Sequence, residues 1–278
     1  MSQRAKRRTL TRKVGPGGQR PASDLLAAEE PLELRLCAGE NSRTLAVTMR
    51  TPGQDFELVA GFLLAEGVIR SRDDLKGLSY CVDNELDARQ RYNIVNADLR
   101  GDKLSDLPGL ERHFFTNSAC GVCGRSGLDN LEARGLKPLT PDFQVSPELL
   151  TGLPSKLREA QGLFELTGGL HAAALFNPNG ELLALREDVG RHNALDKLLG
   201  WALLEDKLPL SEHLLLLSGR SSYELLQKAL VAGVSFVAAV SAPSSLAVDV
   251  AKRFGITLVG FLRGETFNIY ANEERLKF

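Results

Sequence analysis

The alternation of apolar and polar residues predicts a β-hairpin in the first third of the chain. Leucine occupies every second position over residues 32–36, and residues 44–48 continue with the same period. Between them lies Ala38-Gly39-Glu40-Asn41, which has the composition of a turn. A period of two is typical of strands with one buried face, so this segment is predicted to form a half-buried hairpin.

The period then changes to that of a helix. Thr51-Pro52 is predicted to cap this helix, with proline at the first helical position, and Gly67 is predicted to end it. The apolar positions at helical spacing are Phe56, Val59, Ala60, Leu63 and Leu64. Further short strands are expected between residues 78 and 115, including 92–95 and 113–116. Residues 26–116 are therefore predicted to form a small α+β domain.

Residues 117–145 break this regularity. Glycine and proline recur through a stretch of weak periodicity that contains Cys120-Gly121-Val122-Cys123. The sequence therefore predicts a mobile, glycine-rich CxxC loop and a domain junction.

From residue 146 to the end, short apolar strands alternate with helical patterns. Strands are predicted at 170–175, 182–185, 214–217, 236–240 and 256–261, and helices at 194–203, 221–232 and 244–254. Repeated strand-helix units predict an α/β domain with a mixed, mainly parallel sheet and helices on both faces. Ligands of such sheets usually bind where the strands end and the helices begin.

Composition narrows the class of protein. Of 278 residues, 43% are hydrophobic and 25% are charged, which is enough apolar material for a core. No apolar run approaches the roughly 18 residues that span a bilayer, so no membrane contact is expected.

The first 25 residues are predicted to be a disordered basic tail. The first twenty contain seven basic side chains, no acid, and Gly15-Pro16-Gly17-Gly18. Because the whole chain carries −1, residues 21–278 carry −8, so no specific nucleic-acid partner is expected. Arg7-Arg8 lacks the apolar segment of an export signal, and a cytoplasmic location is expected.

The Cys120 and Cys123 pair has three interpretations. It is half of a zinc site, but no second CxxC or CxxH supplies the other two ligands. A thioredoxin-like pair would sit at the first turn of a helix, whereas Gly121, Gly124 and Gly127 indicate a loop. In the third interpretation a thiolate accepts sulfane sulfur as a persulfide and carries it to an acceptor.

Three polar loops have the composition of an anion site. Residues 218–222 (Ser218-Gly219-Arg220-Ser221-Ser222) follow a strand and open a helix, where backbone N–H groups meet phosphate. The others are residues 187–193, with Asp188 and Arg191, and the segment Phe261, Leu262, Arg263, Gly264, Glu265 and Thr266. An aspartate there would accept from a guanine edge while arginine grips phosphate. The alternatives are ordinary helix caps and solvated charges.

His171-Ala172-Ala173 resembles the His-x-Glu of zinc deaminases, but alanine occupies the position of the proton-transferring glutamate. Deaminase chemistry is therefore excluded. His171 is either a core histidine or a ligand contact.

These segments together resemble the formate dehydrogenase accessory sulfurtransferases of the FdhD family, over residues 29 to 278. The blocks that carry the resemblance are Thr51-Pro52 with Gly61-Phe62-Leu63 and Glu66-Gly67, Cys120 to Gly124, Leu166 to Ala173, Glu187 to Lys197, Ser218 to Glu224, and Leu258 to Phe261.

The resemblance implies a cytidine-deaminase-like main domain beside the smaller domain. It implies that Cys120 receives sulfur from a cysteine desulfurase as a persulfide, with Cys123 as its partner, and passes it to the molybdenum cofactor of formate dehydrogenase. Phe261 to Thr266 match the segment linked to the bis-guanine-dinucleotide form of that cofactor.

A GDP-like ligand and a homodimer are expected as well, because one cofactor has two guanine nucleotides and the chain has one set of loops. No tightly bound metal is expected. The alternative is a non-catalytic, zinc-binding cofactor chaperone.

Overall fold

The computed structural model describes residues 3–81, 92–101, 125–140 and 143–278. Cys120, Cys123 and the predicted strand at 113–116 lie outside these ranges. Within them, no helix is long and apolar enough to cross a bilayer.

The N-terminal segment forms a β-hairpin where a disordered tail was predicted. Strand β1 (Lys6–Gly15) pairs antiparallel with β2 (Gly18–Ala27) along their whole length. Gly18 has a positive φ of 93°, which glycine adopts without strain. Leu10 and Val14 alternate with cations along β1, and both faces of the hairpin are exposed to solvent. The high density of charge therefore led to the prediction of a disordered tail instead of a strand.

A four-stranded sheet follows. It contains β3 (Glu30–Ala38), β4 (Asn41–Arg50), β5 (Leu75–Tyr80) and β6 (Ile94–Leu99) in the order β4-β3-β6-β5. Only the β3–β6 pair is parallel. The β3–β4 hairpin confirms the alternation pattern, because Leu32, Leu34 and Leu36 face the core at 0–1% exposure.

Helix α1 (Asp55–Glu66) covers the buried face of this sheet. It begins at Asp55 with Gln54 as its N-cap, so the prediction that Thr51-Pro52 caps it is wrong. Thr51 instead bonds to the neighbouring domain: its Oγ1 accepts from Val189 N at 3.1 Å. Gly67 ends the helix in the left-handed conformation, as predicted.

The main sheet has six strands in the order β12-β11-β10-β9-β7-β8. They are β7 (His171–Phe176), β8 (Leu182–Asp188), β9 (Leu214–Leu217), β10 (Phe236–Ala239), β11 (Thr257–Arg263) and β12 (Thr266–Ala271). Only β9–β10 and β10–β11 are parallel, so the sheet is mixed and not mainly parallel. Short turns at residues 177–180 and 264–265 fold β8 and β12 back antiparallel, and β12 was not predicted.

Helices cover both faces of this sheet. Helices α5 (Arg191–Leu204), α6 (Tyr223–Val231) and α7 (Ser245–Phe254) pack on one face, together with α2 (Arg125–Ala133). Helix α3 (Pro147–Ala160) packs on the other, and the short α4 (Gly162–Thr167) follows it. Helix α2 occupies part of the predicted 117–145 loop.

The two sheets share one helical layer, because α1 packs directly on α5. A Cβ at Gly61 would collide with the carbonyl oxygen of Asp196, and a Cβ at Gly200 would collide with that of Glu57. Glycine at both positions lets the two backbones touch, and this contact fixes the small domain against the main one.

Candidate functional site

One edge of the main sheet gathers the predicted binding loops. Strands β9 and β10 end there, and α5, α6 and α7 begin there. Because β7 runs antiparallel to β9, its first residue, His171, lies at the same edge opposite Asp188, the last residue of β8. The order and direction of the strands therefore bring the predicted loops to one edge, where ligands of α/β sheets usually bind.

The loop after β9 lies against His171. Ser218 exchanges two hydrogen bonds with Ala172: its N–H donates to the carbonyl at 3.0 Å, and its Oγ accepts from the N–H at 2.7 Å. A Cβ at Gly219 would lie 3.1 Å from His171 Nδ1, so glycine allows the imidazole to approach the backbone.

Ser221 is fully buried beside this loop. Its backbone joins the next loop, donating to Ala242 O at 3.2 Å and accepting from Ser244 N at 2.9 Å. Its Oγ has no hydrogen-bond partner within the described residues. A buried hydroxyl without a protein partner is costly, so this Oγ is available to bond a ligand or a water molecule.

Arg191 has a second such atom. It is the first residue of α5, and its Nε is buried with no hydrogen-bond partner among the described residues. A guanidinium N–H at a helix N-terminus is suited to an anionic oxygen, since the helix dipole favours negative charge at the same end.

The neighbouring His192 is already paired. Its Nε2 lies 2.7 Å from Glu224 Oε2 and 3.4 Å from Ser222 Oγ. The hydrogen bond from His192 lowers the pKa of Glu224, which keeps this carboxylate charged. Ser222 occupies the N-cap position of α6 but makes no capping hydrogen bond.

The environment of His171 favours its neutral form. Burial lowers the pKa of this histidine, and the electrostatic effects of Arg191, His192 and Arg220 lower it further, against an opposing effect of Asp188. The edge therefore presents a neutral imidazole among arginines, which is an environment that attracts an anion.

Asp188 does not face this site, contrary to its predicted role at a guanine edge. It is fully buried and accepts from Thr51 N at 3.0 Å, Gly190 N at 2.8 Å and Asn193 Nδ2 at 3.0 Å. Lys197 Nζ lies 2.7 Å from Asp188 Oδ2, the same oxygen that accepts from Thr51. With four donors around it, this carboxylate fixes the turn that precedes α5 and so positions Arg191.

The segment 261–266 borders the same edge as a hairpin between β11 and β12. Phe261 has a φ of 53° and donates its N–H to Ser241 O at 3.2 Å. Such a φ costs a bulky residue about 1–3 kcal/mol, and residues of this kind cluster at binding sites. Phe261 is 39% exposed, with the Arg263 guanidinium 5.9 Å from the centre of its ring.

Four other members of this segment differ in their positions. Leu262 is fully buried in the core and cannot touch a ligand, which corrects its predicted role. Gly264, Glu265 and Thr266 are exposed at the hairpin turn.

A cavity of about 610 Å3 opens beside His171 and Ser218. Its far wall is made by α3 and α4 through Leu157, Arg158 and Phe164, with the Arg158 guanidinium 4.4 Å from the Phe164 ring centre. The volume lies within the roughly 300–1,000 Å3 of small-molecule sites. This wall was not predicted from the sequence, although the Gly168-Gly169 pair that borders it was visible there.

The two cysteines lie outside the described residues, just before α2. That helix is anchored by Leu131, which is 1% exposed, and by Glu132, whose Oε1 lies 2.7 Å from Arg253 of α7. Arg134 donates to the carbonyl of Ala65 at the end of α1 at 2.8 Å.

The structure thus brings together His171, Arg191, Ser218, Gly219, Arg220, Ser221 and Phe261, with Arg263 beside them. Asp188 and Leu262 are structural. The residues that sequence reasoning missed at this edge are Thr51, Asn193 and Lys197, although a lysine on the apolar side of a helix was a visible signal.

The sequence of this chain is similar to that of known proteins along most of its length. The model of the FdhD/NarQ family matches residues 27–277. A Streptomyces coelicolor protein named sulfur carrier protein FdhD is 51% identical and covers 98% of this chain and 95% of its own length. Proteins of the same name from Mycobacterium tuberculosis and Saccharolobus solfataricus are 50% and 45% identical, each over 91% of this chain and 92% and 91% of their own.

The fold has a counterpart among solved structures. The crystal structure of a Desulfotalea psychrophila protein, described as a formate dehydrogenase accessory protein, matches with a TM-score of 0.74. It is 23% identical and covers 98% of this chain and all of that chain. The full-length matches show that this chain belongs to the FdhD/NarQ family.

Proposed function

We propose that this chain is a sulfur carrier for the maturation of formate dehydrogenase. Cys120 accepts sulfane sulfur from a cysteine desulfurase as a persulfide and delivers it to the molybdenum cofactor in its bis-guanine-dinucleotide form, in the cytoplasm. The observation that carries the proposal is the 51% identity, over 98% of the chain, to a protein named as a sulfur carrier. The Cys120-Gly121-Val122-Cys123 pair supplies the thiol that this role requires.

Loading is a thiol exchange. The Cys120 thiolate attacks the outer sulfur of the persulfide on the desulfurase, the donor's S–S bond breaks, and the donor cysteine leaves as a thiolate. Cys120 then holds one extra sulfur atom, with no net oxidation or reduction. Cys123 is the partner thiol of the same CxxC pair.

The acceptor's guanine nucleotide is assigned to the edge of the main sheet. Two buried polar atoms there, Arg191 Nε and Ser221 Oγ, have no partner within the described residues and suit phosphate oxygens. Arg220 adds an exposed charge, and the segment 261–266 borders the site. The adjoining cavity has the volume of a nucleotide site.

The cofactor has two guanine nucleotides, while the chain has one such edge. A twofold homodimer would offer an equivalent site to each nucleotide, because closed twofold symmetry duplicates every surface. We therefore propose a homodimer. We also propose that the main domain belongs to the cytidine-deaminase-like fold class, with which its mixed sheet is compatible.

Complementation tests the function as a whole. In cells that lack their own carrier, this chain should restore formate dehydrogenase activity and Cys120→Ala should not. Cys37→Ser is the matched control, since Cys37 lies on β3 in the small domain and has no assigned role. Full activity with Cys120→Ala would contradict the proposal.

The alternative is a non-catalytic cofactor chaperone in which the two cysteines bind zinc. The CxxC spacing favours it, since it supplies two of the four ligands of a structural zinc site. Stoichiometric zinc that survives dialysis and is lost in Cys123→Ser would support the chaperone. Metal-free protein that still carries sulfane sulfur would exclude it.

A further inference from the structure

Among the described residues, the N-terminal hairpin packs against the body at its base. Ala5 and Ala27 pack against Leu163, Phe164 and Leu170, and Ala28 N donates to Ala5 O at 2.9 Å. Beyond this root, almost every residue of β1 and β2 is exposed on both faces of the ribbon. We call residues 6–27, which form this hairpin, the arm. The family match begins at residue 27, so the arm lies outside the part of the chain that the family model covers.

The arm has a charge opposite to that of the rest of the chain. Residues 6–27 contain six cations and one carboxylate, a net charge of +5. Since the whole chain carries −1, the remainder carries −6. In the part of the chain that the structure describes, no carboxylate forms an ion pair with Arg7, Arg8, Lys13 or Arg20.

One face of the arm combines these charges with apolar side chains. Arg8, Leu10, Arg12 and Val14 alternate along β1 and so share a face, with Leu10 87% and Val14 76% exposed. Both long edges of the two-stranded ribbon are unpaired within the described residues. An isolated two-stranded hairpin is only marginally stable in water, which favours an arm that is covered by a partner.

The chemistry of the arm favours a protein partner. Its strands contain no aromatic side chain that could stack on a base, and the phosphate backbone of a nucleic acid would leave Leu10 and Val14 uncovered. Contact between two arms is disfavoured because each carries +5. The occupant should therefore be an acidic protein surface.

Size favours a second copy of this chain. Ten residues at about 3.3 Å each and two strands about 4.8 Å apart give one face of the arm an area of roughly 300 Å2. A single such face is well below the ~800 Å2 that each partner contributes to a standard interface. Reciprocal exchange of two arms doubles the contact to roughly 600 Å2 per partner, at the lower end of the range of standard interfaces. The body of the second copy supplies the negative charge.

We propose that two copies of this chain exchange their N-terminal hairpins, each arm lying across the acidic body of the other copy. The inference rests on the homodimer of the proposed function and names the element that forms it. The root of the arm packs on Phe164, which also lines the cavity. Exchange therefore brings the second copy to the mouth of the site.

Sedimentation velocity of full-length protein at several salt concentrations tests this arrangement. Wild type should be a dimer that dissociates as salt rises, and both Arg8→Glu/Arg12→Glu and Leu10→Ser/Val14→Ser should raise the dissociation constant about tenfold or more. The control is Lys76→Glu/Arg100→Glu, which reverses two exposed charges on the small domain and should leave the constant unchanged. All four positions of the arm are exposed, so the unfolding midpoint of the monomer, measured at a salt concentration that dissociates the dimer, should not move.

The outcomes separate the arm from the function. A dimer that is unchanged by both arm variants would overturn arm exchange but leave the homodimer standing. A monomeric wild type would overturn both, whereas persulfide loading on Cys120, measured on the same samples, would be unaffected. Tight binding of a single-stranded oligonucleotide that Arg8→Glu/Arg12→Glu abolishes, with the dimer intact, would assign the arm to nucleic acid instead.

Discussion

Two side chains at the sheet edge have buried polar atoms that no described residue satisfies. Arg191 is the first of these, and its Nε should bond to a phosphate oxygen of a guanine nucleotide. Arg191→Gln should weaken GDP binding by about 1.5–3 kcal/mol, a ten- to hundredfold loss of affinity, because a charge-assisted hydrogen bond is removed. Calorimetry measures this directly. Arg253→Gln, at the C-terminal end of α7, is the control, and an equal loss there would remove the assignment.

Ser221 separates a binding role from a structural one. Since its buried Oγ has no described partner, Ser221→Ala should leave the free energy of unfolding unchanged or raise it slightly. The same variant should weaken GDP binding, because the hydroxyl is available to the ligand. A marked fall in unfolding free energy with unchanged GDP affinity would show that Ser221 is only structural.

Asp188 should behave in the opposite way. Asp188→Asn leaves the ammonium of Lys197, which is 1% exposed, without its counter-charge. Removal of one partner from a buried ion pair costs about 3–5 kcal/mol, so chemical denaturation should show a large loss of stability. Asp249→Asn, on the exposed side of α7, is the control. Unchanged stability with lost GDP affinity would restore the role at a guanine edge that the sequence suggested.

These residues also show what the sequence could not decide. The order Glu187-Asp188-Val189-Gly190-Arg191 marks a polar loop before a helix, and the structure places that loop at the predicted edge. Which of its side chains faces the ligand depends on Thr51 and Lys197, which approach Asp188 from elsewhere in the chain. A local pattern contains no information about such partners.

At the scale of elements, the crossing of α1 and α5 should be intolerant of any side chain. Gly200→Ala should destabilise the protein by about 1–3 kcal/mol or more, because the new methyl group overlaps the Glu57 carbonyl and outweighs the ~1 kcal/mol gain in helix propensity. Gly152→Ala in α3 is the matched control: no atom lies within 4 Å of its Cβ, and it should stabilise. Thermal unfolding of both variants measures the difference, and an unaffected Gly200→Ala would contradict the close packing.

The elements themselves were predicted best where burial sets the period. The leucines of β3 and the apolar runs of β9 and β10 were found because one or both faces of each strand are buried. The hairpin of β1 and β2 was missed because neither face is buried, and its composition is that of a solvated tail. Strand β12 was missed for a similar reason, since three of its six residues are only partly buried and two are exposed.

For the whole molecule, the layers explain why distant parts of the sequence share one site. The glycine contact of α1 with α5 fixes the small domain, and the ion pair of Asp188 with Lys197 links that contact to the turn carrying Arg191. The antiparallel β7 returns His171 to the edge where β9 and β10 end. Helix α2, which follows Cys120 and Cys123 in the sequence, packs on the same side of the sheet as α5, α6 and α7.

We expect sulfur to be carried on Cys120. After anaerobic incubation with a cysteine desulfurase and L-cysteine, mass spectrometry of the peptide containing Cys120 should show the added mass of one sulfur atom. The addition should be reversed by a thiol reductant, be absent in Cys120→Ala and persist in Cys37→Ser. Failure of the Cys120 peptide to gain this mass, while the desulfurase itself becomes loaded, would contradict the account.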